Sequence, residues 1–184
     1  SSDLLVPILL AMEMAGIVVD AGMLREQSAD LARDLERLER EIHAAAGVVF
    51  NVGSPKQLAN VLFERLKIPT GKKTKTGYST DNDVLEKIIQ DYPIADKILQ
   101  WRELSKLRTG YVDALPKLIN PLTGRVHTTF NQAGTATGRL SSVNPNLQNI
   151  PIRTERGNLI RKAFVSAPEC VLLSADYSQI ELRI

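Results

Sequence analysis

The residue best suited to chemistry in this sequence is Asp176, a carboxylate that directly follows a short apolar run. That run, residues 171–175, is bounded by polar residues and is typical of a buried strand. A carboxylate at the end of such a strand lies at the rim of a sheet, where a metal-assisted phosphoryl site can be built. A lone aspartate at a strand end more often caps the following turn, so the local pattern leaves both interpretations open.

A helix start is predicted immediately after this aspartate. Ser178 and Glu181 have the spacing of a capping box, in which a hydroxyl and a carboxylate satisfy the first N–H groups of a helix. The predicted strand, the acid and the helix start would then meet at one point. The sequence ends at Ile184, where that helix would begin, and we therefore expect it to be part of a longer chain.

A second group of polar residues offers long donors that suit nucleic acid. Arg139 follows Gly138, a glycine that allows either close backbone approach or an unusual turn. The minor groove presents purine N3 and pyrimidine O2 acceptors on every base pair, so a donor such as Arg139 can detect paired ends without reading sequence. Similar contacts are open to the amides of Asn146, Gln148 and Asn149, although polar loop residues and a surface salt bridge are the simpler interpretations.

A third group is a basic, hydroxyl-rich loop between two short predicted helices. Its lysines and hydroxyl residues are Lys72, Lys73, Lys75, Thr74, Thr76, Ser79 and Thr80. Such a cluster is usually a solvated turn. Lysines, hydroxyls and backbone N–H groups are also the usual partners of phosphates, which predicts sequence-independent contacts with a duplex.

The elements that would position these residues are helical first and mixed later. Apolar residues recur at three-, four- and seven-residue steps over residues 21–46, which predicts a long helix. Ser54 and Pro55 predict the start of a helix that runs to about Leu66. Thr80 with Asp83 predicts a cap for a helix through Ile89, and a second long stripe covers residues 93–118. The sequence thus predicts two long helices with two short ones at one end.

The pattern changes after Asn120, near which we place a domain boundary. Strand-forming residues at 125–130, 163–165 and 171–175 predict a portion that contains a sheet. The predicted fold class is therefore α+β.

Three motifs resemble, in order and spacing, those of the family A DNA polymerases, the bacterial DNA polymerase I group. Residues 176–183 resemble the first palm motif, residues 135–142 and 144–153 the block before it, and residues 72–80 the tip of the thumb. The resemblance implies a lead-in at 1–20, a helical thumb at 21–119, and the first part of an antiparallel-sheet palm at 120–184.

The resemblance also implies template-directed DNA synthesis with two Mg²⁺ ions. It implies that Asp176 binds both ions and that the backbone carbonyl of Tyr177 is a further ligand. The second catalytic aspartate of the family belongs to a later motif that this chain lacks. Ser178, Gln179 and Glu181 would line the nucleotide pocket, with Glu181 beneath the sugar, whereas the local pattern assigns that carboxylate to the cap.

The implied partners are a primer–template duplex, a dNTP and the remainder of the polymerase, in the same chain or a complementing one. Arg139 would lie at the primer-terminal base pair, Arg153 would meet a backbone phosphate, and Lys73, Lys75, Thr76 and Ser79 would contact the duplex. Gly134 stands where the family often has a larger residue. The family's fingers helix has no counterpart in this sequence, so we expect the chain alone to bind duplex DNA without catalysis.

Composition neither supports nor opposes DNA binding, because 23 basic and 21 acidic residues give a net charge of only +2. Cys170 is the single cysteine, which excludes an internal disulfide and suits a reducing compartment. We expect a cytoplasmic, nucleoid-associated protein of a bacterium or phage, with no membrane partner. The alternatives are a non-catalytic helical module that binds duplex DNA and a helical interaction protein whose seam is residues 24–45.

Overall fold

A computed structural model of the chain describes residues 2–69, 73–74, 77–152 and 154–182. The chain divides into two compact units. Residues 25–114 form the first, called here the helical unit. Residues up to 24 and from 115 onward form the second, the mixed unit. The boundaries predicted from the sequence, at residue 21 and near 120, lie four or five residues outside these limits.

Helices and short antiparallel strand pairs make up the described residues, which confirms the predicted α+β class. The helices are α1 (Ser2–Ala15), α2 (Ala21–Ala46), α3 (Pro55–Ala59), α4 (Asn82–Glu86), α5 (Pro93–Leu107) and α6 (Glu155–Lys162). The strands are β1 (Val18–Val19), β2 (Lys73–Thr74), β3 (Gly77–Tyr78), β4 (Thr129–Asn131), β5 (Ser141–Val143) and β6 (Phe164–Val165). Strand β1 pairs with β6, β2 with β3 and β4 with β5, each pair being antiparallel.

The helical unit is organised by the apolar stripe of α2, whose predicted bounds are confirmed. Leu31, Leu38 and Ile42 recur at seven- and four-residue steps and are all buried. Ile42 joins a core to which the later helices contribute Leu58, Leu62, Leu85 and Ile98. Each fully buried side chain of this size contributes roughly 1.5–3 kcal/mol relative to an exposed one.

The start of α3 follows the predicted signal. The hydroxyl of Ser54 accepts a hydrogen bond from the backbone N–H of Gln57 at 3.4 Å, and Pro55 occupies the first turn. The side-chain carbonyl of Gln57 accepts from the backbone N–H of Asn51 at 2.9 Å instead of closing a capping box. Helix α3 continues as a π-helical segment, Asn60–Arg65. Both short helices predicted for this unit are therefore present, the first as α3 with its π-helical continuation and the second as α4.

Three predicted helix ends in this unit are wrong. One is the C-terminal end of α4, which lies at Glu86 and not at Ile89. The N-cap of α4 is Asp81 and not Thr80, because the hydroxyl of Thr80 accepts a hydrogen bond from Arg102 at 3.1 Å. Helix α5 does not continue to residue 118 as an α-helix. It passes into a π-helical segment, Arg108–Val112, where the hydroxyl of Thr109 donates to the carbonyl of Ser105 at 2.7 Å. Such back-bonding competes with the regular helical ladder.

The mixed unit ties its N-terminal segment to the β4 region. Ile17 and Val126 exchange two backbone hydrogen bonds of 2.9 Å. The ring Nδ1 of His127 lies 2.7 Å from the carbonyl oxygen of Glu13, and the carboxylate of Glu13 accepts from the N–H of Phe130 at 2.6 Å. In addition, β1 pairs with β6 through Val18↔Val165 and Val19↔Phe164. The lead-in segment is thus part of the same unit as the residues after 115.

The predicted strand at 171–175 is not present in the structure. Its residues carry no strand assignment, and Val171 and Leu173 are 88% and 90% exposed. A strand exists only where a neighbour satisfies its backbone N–H and C=O groups, and no described residue pairs with this run. The helix predicted from Ser178 is likewise replaced by a single 3₁₀ turn, Ile180–Leu182, which follows a left-handed residue, Gln179, at φ +54°.

The predicted strand at 125–130 is also shorter than expected. Only Thr129–Asn131 forms β4, while Val126 makes isolated bridges with Ile17 and Ile119. Within the described ranges, every helix is too short or too polar to cross a lipid bilayer.

Candidate nucleic-acid interface

The first candidate contact, Arg139, lies at the end of the connection between β4 and β5. The N–H of Gly138 donates to the carbonyl of Thr135 at 3.4 Å, and the hydroxyl of Thr135 donates to the carbonyl of Arg139 at 2.7 Å. Gly138 has φ +73°, and a Cβ atom there would meet no atom within 4 Å. This glycine therefore serves an unusual turn and not a close backbone approach. The turn leaves Arg139 exposed.

The amide residues lie in the loop at 144–149, directly after β5. Asn146 and Asn149 are exposed, and the side-chain carbonyl of Asn146 accepts from the N–H of Gln148 at 3.0 Å. The side chain of Gln148 bonds to the β5 region: its carbonyl accepts from the N–H of Ser142 at 3.0 Å, and its amide donates to the carbonyl of Leu140 at 3.2 Å. Gln148 thus holds the amide loop beside the residue that follows Arg139.

A basic helix follows the amide loop. Helix α6 begins at Thr154, whose hydroxyl accepts from the N–H of Gly157 at 3.1 Å. A Cβ atom at Gly157 would lie 2.5 Å from the carbonyl oxygen of Pro151, so only glycine lets the helix approach the loop this closely. Arg161 and Lys162 are exposed in the last turn, where cations interact favourably with the helix dipole.

Charge is concentrated in this part of the sequence. Six basic residues and a single acidic one, Glu155, lie between positions 120 and 168. The net charge of the whole chain, only +2, does not reveal this local excess of basic residues. Arg153, predicted to meet a phosphate, lies outside the described residues.

The predicted metal-binding aspartate lies on an exposed segment. Asp176 and Tyr177 are both exposed, and Ser178 and Gln179 precede the 3₁₀ turn. The side chain of Glu181 lies outside the described residues, so neither its predicted cap nor its predicted sugar contact is tested. The N-terminal end of this exposed segment lies near the amide loop, because Leu172 and Leu147 line the same cleft.

The donors on this segment fit a hard divalent cation in part. Asp176 and the backbone carbonyl of Tyr177 supply oxygen ligands, the type that Mg²⁺ prefers. Among the described residues, no group of three or more His, Cys, Asp or Glu side chains could hold a metal ion.

The basic loop of the helical unit is described only in part. Strands β2 and β3 form a hairpin in which Lys73 lies opposite Tyr78 and Thr74 opposite Gly77. Lys75 and Thr76, predicted to contact the duplex, lie outside the described residues, and Lys73 is described by its backbone alone.

Ser79 and Thr80 lie at the base of this hairpin and are buried. Ser79 is 5% exposed, and its hydroxyl accepts from the N–H of Asp81 at 3.2 Å. The predicted contact of Ser79 with DNA stays a prediction, and the structure adds a role for this hydroxyl in the turn.

Sequence reasoning missed Arg102, which fastens the base of the hairpin to α5. Its guanidinium donates to the backbone carbonyl of Thr80 at 2.5 Å, to the Thr80 hydroxyl at 3.1 Å and to the side chain of Asn82 at 3.2 Å. Burial lowers the pKa of this arginine, and the charge of Asp81 opposes that shift. The sequence does place this arginine directly after Trp101, beside the apolar stripe of α5, which is a signal that it could be partly buried. Its acceptors could not be identified, because they lie about twenty residues earlier in the chain.

The long helices α2 and α5 are linked by an ion pair between Glu41 and Lys97, which has no proposed role in DNA binding. The Glu41 carboxylate accepts from the Lys97 ammonium and, at 2.9 Å, from the Arg37 guanidinium. These two bonds, with Lys97 the larger contributor, lower the pKa of Glu41. In the same unit, burial raises the pKa of Tyr111.

Comparison with known proteins shows one consistent likeness. The sequence pattern of DNA polymerase family A matches residues 21–184. DNA polymerase I of Geobacillus stearothermophilus is 54% identical over 178 residues, which is 96% of this chain and 20% of that protein. DNA polymerase I of Synechocystis is 55% identical over 179 residues, or 96% of this chain and 18% of that protein. The chain spans about a fifth of the length of the curated relatives it matches.

A solved structure is similar over the same extent. The POL domain of Pol1 from M. smegmatis, in complex with DNA primer–template and dNTP, superimposes with a TM-score of 0.83. The two sequences are 46% identical, and the match covers 95% of this chain and 31% of that one.

Proposed function

The chain belongs to DNA polymerase family A, and from that premise we propose that it forms the thumb and the first part of the palm of a template-directed DNA polymerase. In this proposal residues 21–119 are the thumb, residues 120–184 begin the palm, and residues 1–20 lead into them. The supporting observation is the likeness, over 95% of this chain, to a polymerase domain solved with DNA primer–template and dNTP. The bacterial relatives favour a bacterial cytoplasm and nucleoid as its location.

We propose that the exposed donors of the mixed unit bind the primer end. Arg139, Asn146 and Asn149 would contact minor-groove acceptors, which hardly depend on base identity. Gln148 would also contact the minor groove, through the amide proton and the carbonyl lone pair that its bonds to Leu140 and Ser142 leave available. Arg153 and the basic end of α6 would neutralise backbone phosphates, which makes affinity fall as salt rises.

The hairpin of the helical unit would contact the duplex backbone away from the primer end. Lysines and hydroxyls at 73–79 are suited to phosphates and carry no sequence preference. The proposed contacts are Lys73, Lys75, Thr76 and Ser79. Arg102 would act indirectly, because its three hydrogen bonds fasten the base of this projection.

For catalysis we propose that Asp176 and the Tyr177 carbonyl hold divalent cations, Mg²⁺ by preference. When bound, two such ions would stabilise the charge that develops during nucleotidyl transfer from a dNTP to the primer 3′-hydroxyl. Ser178, Gln179 and Glu181 would bind the incoming nucleotide. A further carboxylate must come from the remainder of the polymerase, in the same chain or a complementing one.

This chain alone is therefore proposed to bind duplex DNA without catalysis.

The test is primer extension by the chain combined with a second fragment that carries the fingers and the remaining palm, in Mg²⁺. We expect Asp176→Asn to abolish extension while binding of the primer–template duplex survives, because the change removes a charged ligand from an exposed position. Glu169→Gln is the matched control, because Glu169 is an exposed carboxylate of the same unit that is not among the proposed ligands. Retention of extension by Asp176→Asn would contradict the proposal, and absence of duplex binding by the unsubstituted chain would contradict the DNA contacts.

A further inference from the structure

Two hydroxyl side chains meet behind the amide loop, and none of the proposed contacts with DNA, nucleotide or metal uses them. Ser142 is 1% exposed and lies on β5, and Thr128 precedes β4. We infer that Thr128 and Ser142 are positioning residues, whose hydroxyls hold the loop at 144–149 in the conformation that presents Asn146 and Asn149 to DNA. This inference rests on the proposed function of the amide loop.

The two hydroxyls bond to the loop backbone and to each other. The oxygen of Ser142 accepts a hydrogen bond from the N–H of Leu147 at 3.1 Å and lies 2.6 Å from the hydroxyl oxygen of Thr128. The hydroxyl of Thr128 lies 2.8 Å from the carbonyl oxygen of Pro145 and 3.0 Å from that of Val143. The loop is therefore held at two backbone positions.

The directions of these bonds follow from the number of protons. Carbonyl oxygens can only accept, and each hydroxyl has one proton to donate. The shortest contacts are satisfied when Ser142 donates to Thr128 and Thr128 donates to the carbonyl of Pro145. Leu147 then donates to Ser142, which closes a continuous chain of donors. Ser142 can also donate to the carbonyl of Pro145, at 3.1 Å. Removal of the Thr128 hydroxyl therefore takes away the shorter of the two bonds to that carbonyl, and removal of the Ser142 hydroxyl also takes away the acceptor of the Leu147 N–H.

Strand β5 also holds the loop through its backbone. The N–H of Ser142 donates to the side chain of Gln148, and that side chain donates to the carbonyl of Leu140. One buried serine thus supports the loop with its backbone N–H and with its hydroxyl. The exposed side chains of Asn146 and Asn149 project from the backbone that these bonds fix.

This arrangement separates positioning from contact. Thr128 is half-buried behind the loop and is not among the proposed DNA ligands. Replacing it with valine keeps its shape, removes its hydroxyl and leaves every proposed ligand in the chain. A loss of DNA recognition in that variant would come from the position of the loop and not from a missing donor.

The experiment compares three variants of the 184-residue chain: Thr128→Val, Thr128→Ser and, as a matched control, Thr129→Val. Thr129 is the next residue along the strand and is exposed, so its side chain lies on the other face. Fluorescence anisotropy would give the affinity for two primer–template duplexes, one of which carries a 3-deazapurine that lacks the N3 acceptor at the primer terminus.

We expect Thr128→Val to weaken binding of the natural duplex about three- to tenfold, the effect of one hydrogen bond. Its preference for the natural duplex over the 3-deaza duplex should fall, because Asn146 and Asn149 are displaced, while the part of the preference that Arg139 contributes should remain. Thr128→Ser, which keeps the hydroxyl, and Thr129→Val should retain both affinity and preference. A merely structural role would lower thermal stability without lowering this preference.

Hydrogen exchange at the N–H groups of Leu147 and Gln148 tests the loop itself, and Thr128→Val should accelerate both. Unchanged exchange, or full affinity and preference in Thr128→Val, would overturn the inference. If the unsubstituted chain does not bind the duplex, the proposed function fails instead, and the exchange rates still decide whether the hydroxyls hold the loop. Ser142→Ala provides the same comparison if valine prevents folding.

Discussion

The two units differ in how completely they bury their large apolar side chains. In the helical unit the apolar stripes meet each other, and Leu58, Leu62, Leu85 and Ile98 are fully buried. In the mixed unit, large apolar side chains of α1 and of residues 171–182 are exposed. A helix satisfies its own backbone and needs only one buried face, whereas a strand also needs a partner for its N–H and C=O groups. A helical segment can therefore be predicted from its local pattern more readily than a strand.

The sharpest test of this comparison is the loss of one leucine side chain from each unit. We expect Leu58→Ala to destabilise the helical unit by about 2–5 kcal/mol, because it empties a fully buried position. Leu173→Ala should change stability by less than about 0.5 kcal/mol, because Leu173 is exposed. Urea unfolding followed by circular dichroism measures both. A cost of several kcal/mol for Leu173→Ala would show that residues 171–175 are packed in solution.

A smaller effect is expected from adding one methyl group at a glycine in each unit. A Cβ atom at Gly157 would meet the backbone of Pro151 at 2.5 Å, so Gly157→Ala should cost about 1–3 kcal/mol. A Cβ atom at Gly110, in the π-helical segment, would meet no atom within 4 Å. Gly110→Ala should be neutral or stabilising by about 0.4–1 kcal/mol, because alanine reduces the entropy of the unfolded chain.

Thermal unfolding of both glycine variants would measure the difference. The comparison depends on the close approach of α6 to Pro151, for which Gly110 has no counterpart. Equal costs at the two glycines would contradict it, since the structure gives Gly110 open space and Gly157 none.

The same contrast explains which elements could be predicted. The bounds of α2 and the start of α3 at Ser54 were predicted because a repeated apolar step and a cap are local signals. The strand at 171–175 was wrong because an apolar run does not reveal its pairing partner. The cap of α4 was wrong for a similar reason, because Arg102, twenty-two residues away, occupies the hydroxyl of Thr80.

In the candidate site, too, some features could be predicted from the sequence and others could not. Arg139, Asn146, Gln148 and Asn149 were selected by their donor chemistry and remain predicted DNA ligands. The sequence could not predict that the amide of Gln148 bonds to Leu140 and Ser142, because this depends on how the loop folds back on β5. Residue types therefore identify candidate ligands, while the groups that position them emerge only from the fold.

The smallest expected effect concerns the charges that join α2 to α5. The pKa of Glu41 is lowered in the folded chain, chiefly by its hydrogen bond with Lys97 and then by that with Arg37. A carboxyl group whose pKa is lower when folded stabilises the fold above its unfolded pKa, and this contribution disappears as pH falls through the folded pKa. Glu41→Gln should therefore lower the melting temperature slightly at neutral pH and have no effect in acid below that range. Melting curves from pH 7 to pH 2 would show the difference, with Glu36→Gln, an exposed position on the same helix, as the control. A constant difference at every pH would contradict the assignment, because it would mean that Glu41 acts through packing and not through its charge.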